Sequence, residues 1–154
     1  MSWTDLWRRS PPAVEQREEP QMTQHAEAAP RPTVLVVDDE AQIRDLLQMA
    51  VSAFGYDAEA AANGHEALGC LARRSYDVVI CDLIMPRMNG DELFRICQQE
   101  HPEIASRFVF TSGYPEGVPL VDLTMASGQP FLPKPCRLAE IRAAIDEIAG
   151  PVAA

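Results

Sequence analysis

Basic side chains are scarce in this sequence, where 13 Lys and Arg stand against 23 Asp and Glu and the formal net charge is −10 at pH 7. Such a chain lacks the basic surface with which nucleic-acid-binding proteins hold phosphates. It also lacks the run of about 18 apolar residues that a membrane-spanning helix needs, and the apolar N-terminal segment of a signal peptide. The sequence therefore predicts a cytoplasmic protein that contacts neither nucleic acid nor membrane.

Cysteine is sparse and shows no metal-binding spacing. The four cysteines are Cys70, Cys81, Cys97 and Cys136. No pair forms a C-x-x-C motif, and each lies in a segment with the pattern of a buried core. This distribution is typical of a reducing compartment and argues against disulfides and a zinc site.

A length of 154 residues corresponds to about one domain. Residues 1–32 contain five of the 13 prolines, both tryptophans and charges of mixed sign, without a sustained hydrophobic period. Segments of this composition bury too little apolar surface to become ordered. We therefore expect a disordered N-terminal tail over 1–32, a folded domain over 33–149 and a short C-terminal tail over 150–154, with no output domain after it.

Short apolar runs alternate with helical periods along the folded part. Residues 34–37, 78–81 and 108–110 are apolar without polar alternation, which is typical of strands buried on both faces of a parallel sheet. Weaker strands are predicted at 57–61 and 131–132, and apolar stripes at helical spacing follow the strands. Five such units predict an α/β fold with a doubly wound, five-stranded parallel sheet and helices on both faces.

Polar residues stand where the predicted strands end: Asp38 and Asp39, Asp82, Thr111 and Lys134. Ligands of open α/β sheets bind in the crevice outside these carboxyl ends. Three carboxylates meeting there would repel each other, so a cation must compensate them. Magnesium takes hard oxygen ligands of this kind and leaves room for phosphate oxygens. Lys134, the only lysine in the chain, supplies a second positive charge.

Four stretches carry this pattern: V-L-V-V-D-D-E, V-V-I-C-D-L-I-M-P-R-M-N-G, F-V-F-T-S-G and F-L-P-K-P. In this order and spacing they closely resemble the response-regulator receiver domain of two-component signalling, over about residues 33–149. The resemblance implies the flavodoxin-like strand order 2-1-3-4-5. It also implies a phosphoprotein that accepts a phosphoryl group from a sensor histidine kinase or histidine phosphotransfer protein and signals to a downstream protein that the sequence does not name.

The resemblance further implies a role for each residue of the crevice. Asp82 would be the phosphoacceptor, with Thr111 and Lys134 binding the phosphoryl oxygens. The magnesium ligands would be Asp38, Asp39, Asp82 and the backbone carbonyl of Ile84. Thr111 and Phe131 would act as the switch residues, and Lys134–Pro135 is a candidate cis peptide bond. The protein would then be a phosphoacceptor rather than an enzyme, catalysing only its own phosphorylation and dephosphorylation.

Two positions depart from the common receiver pattern. Ile84 replaces a polar residue often found two positions after the phosphoacceptor, and Gly113 offers no side chain two positions after Thr111. Neither can hold a hydrolytic water. The T-S-G-Y-P segment and the irregular stretch that follows it resemble the receivers at the C-terminal end of hybrid histidine kinases.

Two other functions use similar residues, and a third uses a similar fold. A magnesium-dependent aspartyl phosphohydrolase of the haloacid-dehalogenase type needs a second Asp two positions after the first, where this chain has Ile84. A phosphate-independent pseudo-receiver would act as an interaction module, although Asp82, Thr111 and Lys134 are all present. A flavodoxin-like carrier is disfavoured because no glycine-rich phosphate loop follows the first strand.

Overall fold

The computed structural model describes residues 31–114 and 119–150, and its centre is a five-stranded, all-parallel sheet. The strands are β1 (Thr33–Val37), β2 (Asp57–Ala61), β3 (Val78–Asp82), β4 (Phe108–Ser112) and β5 (Phe131–Pro133). Their order across the sheet is β2-β1-β3-β4-β5. The predicted fold class and strand order are confirmed. Residues 1–30 of the predicted N-terminal tail and 151–154 of the C-terminal tail lie outside the described residues.

Helices connect the strands and cover the sheet. They are α1 (Ala41–Ala53), α2 (Gly64–Arg73), α3 (Gly90–Glu100), α4 (Pro102–Ala105), α5 (Pro119–Met125) and α6 (Leu138–Ala149). The start of α2 is a capping arrangement, because the Asn63 side chain accepts a hydrogen bond from the Glu66 N–H and the Glu66 carboxylate accepts one from the Ala62 N–H. None of the helices in the described ranges is both long and apolar enough to cross a membrane.

Two hydrophobic clusters lie on opposite faces of the sheet. Side chains alternate along β1, so that Leu35 and Val37 belong to one cluster while Val34 and Val36 belong to the other. Helices α2, α3 and α4 and residue Val121 of α5 pack on the first face, and helices α1 and α6 pack on the second. This double coverage explains why β1, β3 and β4 carry unbroken apolar runs.

The strand register brings the predicted polar residues together at the carboxyl ends of the strands. Asp82 pairs with Thr111 between β3 and β4, and Thr111 pairs with Leu132 in β5. In β1, Val37 pairs with Cys81, so Asp38 follows the strand at the level of Asp82. Because all five strands are parallel, their carboxyl ends form one crevice.

The structure corrects some of the predicted boundaries. Thr111 and Ser112 lie within β4, which was predicted to end before Thr111, and Asp82 is the last residue of β3, which was predicted to end before it. The short helix α4 has no counterpart in the sequence prediction, although Pro102 occupies its first turn, where proline is tolerated. Cys70, Cys81 and Cys97 are buried and Cys136 is half-buried, and all four are free thiols.

Candidate functional site

Three carboxylates meet at the carboxyl ends of β1 and β3. Three carboxylate oxygens lie within 4.8 Å of one another, one from each of Asp38, Asp39 and Asp82. Asp38 and Asp82 are 0% and 5% exposed, whereas Asp39 is exposed to solvent. The structure thus brings together the three side chains predicted as metal ligands, with two on the protein side of the crevice and one toward the solvent.

Lys134 bridges two of these carboxylates. Its Nζ lies 2.9 Å from Asp38 Oδ2 and 3.2 Å from Asp82 Oδ2, and the side chain is 19% exposed. The backbone holds the lysine in place, since its N–H donates to the Ser112 carbonyl at 2.7 Å. The Lys134–Pro135 peptide bond is cis, as predicted. The lysine therefore offsets part of the repulsion between the acidic groups.

The electrostatics of the crevice act on both partners. Burial, together with the nearby charge of Asp38, raises the pKa of Asp82 to about 6, even though Lys134 and a backbone hydrogen bond from Ile84 act to lower it. Burial alone would lower the pKa of Lys134, but its hydrogen bond to Asp38 and the charge of Asp82 raise it overall. At neutral pH the crevice therefore holds a charged lysine against an Asp82 carboxylate that is largely ionised.

Thr111 contributes an unused hydrogen-bonding group. Its side chain is 1% exposed, and its buried Oγ1 has no hydrogen-bond partner within the part of the chain that the structure describes. A buried hydroxyl without a partner costs free energy, so an unpaired hydroxyl opposite Asp82 in the sheet register indicates a place for a ligand oxygen.

The carboxylates and the unpaired hydroxyl fit a magnesium ion with a phosphoryl group. Mg²⁺ binds in proteins through one or two carboxylates, retained waters and phosphate oxygens, and this donor set supplies hard oxygens only. The cysteine nearest in sequence, Cys81, donates its thiol hydrogen to the Asp82 carbonyl at 3.3 Å, and burial raises its pKa well above the usual range. It therefore stays protonated and is unsuited to bind a metal.

Asp38 is held at every polar atom. Its Oδ1 accepts from the Glu40 N–H at 2.9 Å, its Oδ2 from Lys134, and its carbonyl from Arg44 Nη1 at 2.8 Å. Its own N–H donates to the Ala61 carbonyl at 3.2 Å. The sequence does not predict the part of Arg44, because an arginine six residues after a strand-end Asp has the pattern of an ordinary helix surface.

Gly90, also not predicted as part of the site, allows α3 to approach β3. A Cβ at this position would lie 2.5 Å from the Asp82 carbonyl oxygen and 3.0 Å from the Leu83 Cα. The Gly90 N–H donates to the Leu83 carbonyl at 2.7 Å. Glycine at this position is therefore required for a close backbone contact beside Asp82.

The remaining predicted residues surround the crevice. Ile84 and Phe131 are half-buried and pack against the hydrophobic cluster on the α3 side of the sheet. Gly113 is exposed, and a Cβ added there would meet no atom of the described residues within 4 Å. None of these three positions carries a polar side chain.

Comparison with known proteins places this arrangement in one family. The family model for the response regulator receiver domain matches residues 34–146. The segment is 36% identical over 118 residues, 75% of this chain, to the sensor kinase CckA of Brucella abortus, and 31% identical over 112 residues, 73% of this chain, to the response regulator protein PilR of Pseudomonas aeruginosa. These matches cover only 12% and 25% of the relatives' own lengths.

A solved structure shares the fold. The crystal structure of a response regulator receiver protein from Pseudomonas putida matches with a TM-score of 0.69 and 30% identity, over 77% of this chain and 98% of that one. The general role of this family in two-component signalling is to accept a phosphoryl group. The chain belongs to the response regulator receiver domain family.

Proposed function

We propose that this receiver domain accepts a phosphoryl group on Asp82 in a magnesium-dependent reaction. The observation that carries the proposal is the position of the Asp82 carboxylate. It lies at the carboxyl end of a central strand, 3.2 Å from Lys134 and beside two further carboxylates. This set supplies a nucleophile, a fixed cation and oxygen ligands for a divalent ion within one crevice.

The transfer follows from the charges of these groups. An ionised Asp82 Oδ attacks phosphorus, forming a new P–O bond, while the bond to the donor breaks and the donor keeps its electron pair. Lys134, which faces Asp82 before the reaction, is placed to pair with an oxygen of the transferred group. Thr111 Oγ1 is free to donate to another oxygen. Magnesium bound to Asp38, Asp39, Asp82 and the Ile84 carbonyl would neutralise charge on the phosphoryl oxygens.

Thr111 connects this chemistry to a conformational switch. Its hydroxyl would move toward the phosphoryl oxygen, and the space that it leaves lies on the sheet between β3 and β5. Phe131 is half-buried on β5, the strand that pairs with β4, and packs against the cluster on the α3 side of the sheet. We therefore assign Thr111 and Phe131 as the switch pair.

The two alternative functions have less support. Position 84 holds a half-buried isoleucine, so the second catalytic Asp of a phosphohydrolase is missing. A pseudo-receiver would have no need for an ion-paired lysine and an unpaired buried hydroxyl at the same crevice. Both groups are explained together when a phosphoryl group binds.

The phosphoryl donor is proposed to be a sensor histidine kinase or a histidine phosphotransfer protein. The signal would leave through protein contact or onward phosphotransfer, and the similarity to both a sensor kinase and a response regulator is compatible with either route. The acidic composition supports a protein that does not bind nucleic acid, and a cytoplasmic location is part of the proposal.

The site assignment is tested by incubating the full chain with acetyl phosphate and Mg²⁺ and measuring the intact mass. Wild type should gain one phosphoryl group, and Asp82→Asn should gain none. Asp57→Asn is the control, because Asp57 is an exposed carboxylate at the amino end of β2, whereas the crevice lies at the carboxyl ends of the strands. Phosphoryl transfer that persists in Asp82→Asn would refute the proposal.

The metal assignment is tested by calorimetric titration with Mg²⁺. Asp39→Asn should lose most of the affinity because it removes one carboxylate from the ligand set. Asp45→Asn, which removes an exposed carboxylate on α1, is the matched control and should bind as wild type does. Equal affinity in Asp39→Asn and wild type would contradict the magnesium site.

A further inference from the structure

We propose that Arg44 is a positioning residue for the magnesium site, and that it acts by fixing the peptide plane between Asp38 and Asp39. This inference rests on the proposed function, because it concerns the geometry of the same metal ligands. The observation is a single contact, in which Arg44 Nη1 donates to the Asp38 carbonyl at 2.8 Å.

The contact controls Asp39 because of peptide geometry. The Asp38 carbonyl and the Asp39 N–H belong to one rigid planar unit, so fixing the carbonyl fixes the direction in which the chain enters Asp39. Asp39 needs this support, since no hydrogen bond or ion pair reaches its carboxylate within the described part of the chain. The side chain of Asp38, in contrast, is already held by Lys134 and the Glu40 N–H.

A purely helical role does not explain the arginine. Arg44 is the fourth residue of α1, whose first turn contains no acidic side chain. The positive end of the helix dipole lies there, so a cation at this position gains nothing from the dipole. Arg44 is half-buried and folds back across residues 38–40 instead of extending into solvent. The favourable interaction of Arg44 at this position is therefore its hydrogen bond to the Asp38 carbonyl.

Charge and position predict opposite effects when Arg44 is replaced. Removing a positive charge near a cation site should tighten Mg²⁺ binding, because the repulsion between the two cations is lost. Releasing the peptide plane should weaken binding, as the loss of a group that orients metal ligands costs roughly 10- to 100-fold in affinity. The sign of the change in affinity therefore separates the two effects.

The variants are Arg44→Met and Arg44→Lys, studied in the full chain. Lysine keeps the charge but lacks the planar fork that reaches the carbonyl, so both variants should bind Mg²⁺ roughly 10- to 100-fold more weakly by calorimetry. Arg95→Met is the matched control, because it removes the same charge from an exposed ion pair on α3. Phosphorylation by acetyl phosphate should return close to the wild-type rate in both Arg44 variants at saturating Mg²⁺.

A readout without metal completes the test. In the presence of a chelator, the carbonyl carbon resonance of Asp38 should shift in both Arg44 variants and stay unchanged in Arg95→Met. Mg²⁺ affinity equal to or tighter than wild type in Arg44→Met, or in Arg44→Lys if the methionine variant does not fold, would overturn the proposal. A lowered thermal midpoint with unchanged affinity and an unchanged resonance would also overturn it.

The failure of the proposed function has a different signature. A wild-type protein that binds no Mg²⁺ and gains no phosphoryl group would refute the magnesium-dependent receiver itself. If wild type binds Mg²⁺ and gains a phosphoryl group, and the Arg44 variants match it in Mg²⁺ affinity and in the Asp38 resonance, only the positioning role is refuted.

Discussion

Lys134 Nζ lies 2.9 Å from Asp38 Oδ2, an ion pair that joins residues 96 positions apart in sequence. The Asp38 side chain is 1% exposed, so water screens this pair very little. The same nitrogen reaches Asp82 at 3.2 Å. One cation therefore pairs with two buried carboxylates.

Replacing Lys134 should destabilise the metal-free protein. Lys134→Met leaves two buried carboxylates without their partner, at a cost of about 3 kcal/mol, the low end for a broken buried pair because the lysine is 19% exposed. Added Mg²⁺ should restore part of this loss by supplying positive charge to the same oxygens. Urea unfolding with chelator and with Mg²⁺ measures both effects.

Arg95→Met serves as the reference for that experiment, because its ion pair with Asp91 involves a side chain that is 66% exposed. Surface pairs of this kind contribute only a few tenths of a kcal/mol. A loss in Lys134→Met no greater than in Arg95→Met would show that the buried pair contributes little to folding.

Adding a methyl group at Gly90 should displace the backbone at Asp82. The Cβ of Gly90→Ala would lie 2.5 Å from the Asp82 carbonyl oxygen, and backbone cannot move aside as a flexible side chain can. We expect a loss of about 1–3 kcal/mol in stability, the usual cost of overpacking, together with slower phosphorylation from acetyl phosphate.

Gly69→Ala is the matched control for Gly90→Ala. Gly69 lies inside α2, and a Cβ there meets nothing within 4 Å, so the substitution should stabilise the helix by about 0.5–1 kcal/mol. Unfolding midpoints of the two variants in opposite directions from wild type would support the close-contact explanation. If Gly90→Ala has the phosphorylation rate and the stability of wild type, the close-contact explanation is wrong.

The fold was predictable because local patterns and global topology agree. Unbroken apolar runs in β1, β3 and β4 require a sheet covered on both faces, and the helical stripes between them supply the cover. Boundaries were less predictable: Thr111 continues β4 because its backbone still pairs with Asp82 and Leu132, which a polar side chain does not reveal. Pairing between strands, not side-chain polarity, determines where a strand ends.

The site was predictable as a set of residues and not as a network. Strand-end Asp82 and Lys134 stand out in sequence because each interrupts an apolar pattern. The hydrogen bond from Arg44 to a backbone carbonyl and the close approach at Gly90 leave no such mark, because both depend on how α1 and α3 pack against the strand ends. Contacts to backbone atoms are largely indifferent to the partner's side chain and so lack a sequence pattern.

Alkaline pH should weaken the fold through Tyr56. Burial and a 2.6 Å hydrogen bond to Asp146 raise the pKa of Tyr56 to about 12, above the unfolded value of 10.0. The unfolded chain therefore loses this proton first. The contribution of Tyr56 to the free energy of unfolding is complete below pH 10 and is lost as the pH rises toward 12, amounting to roughly 3 kcal/mol at about 1.4 kcal/mol per pH unit.

Urea unfolding at a series of alkaline pH values tests the effect of Tyr56. Tyr56→Phe has no phenol to ionise, so its stability should fall less steeply than that of wild type between pH 10 and 12. Tyr114→Phe, at a position that is 52% exposed, should keep the wild-type profile. Equal slopes for Tyr56→Phe and wild type would contradict the assignment.

The lifetime of the phosphorylated protein should depend on Ile84 and Gly113. These positions lie two residues after Asp82 and Thr111, and they present an apolar side chain and no side chain respectively. Neither can orient a water molecule toward phosphorus, so self-dephosphorylation should be slow. Ile84→Asn with Gly113→Glu should speed the loss of label by roughly 10-fold, less than the 10²–10⁴ of an evolved general acid–base group because the new side chains are not positioned.

The surroundings of Ile84 and Gly113 determine how the lifetime experiment is designed and which control it needs. Gly113 is exposed and a Cβ there meets nothing within 4 Å, so a longer side chain can be accommodated, whereas Ile84 packs against the core and its replacement needs a check of folding. The control is Ile84→Val with Gly113→Ala, which changes the same positions without adding a polar group. Radiolabel decay under the same Mg²⁺ concentration compares the proteins, each starting from a measured phosphorylated fraction. If the polar pair decays no faster than the apolar pair, water access at these positions does not set the lifetime.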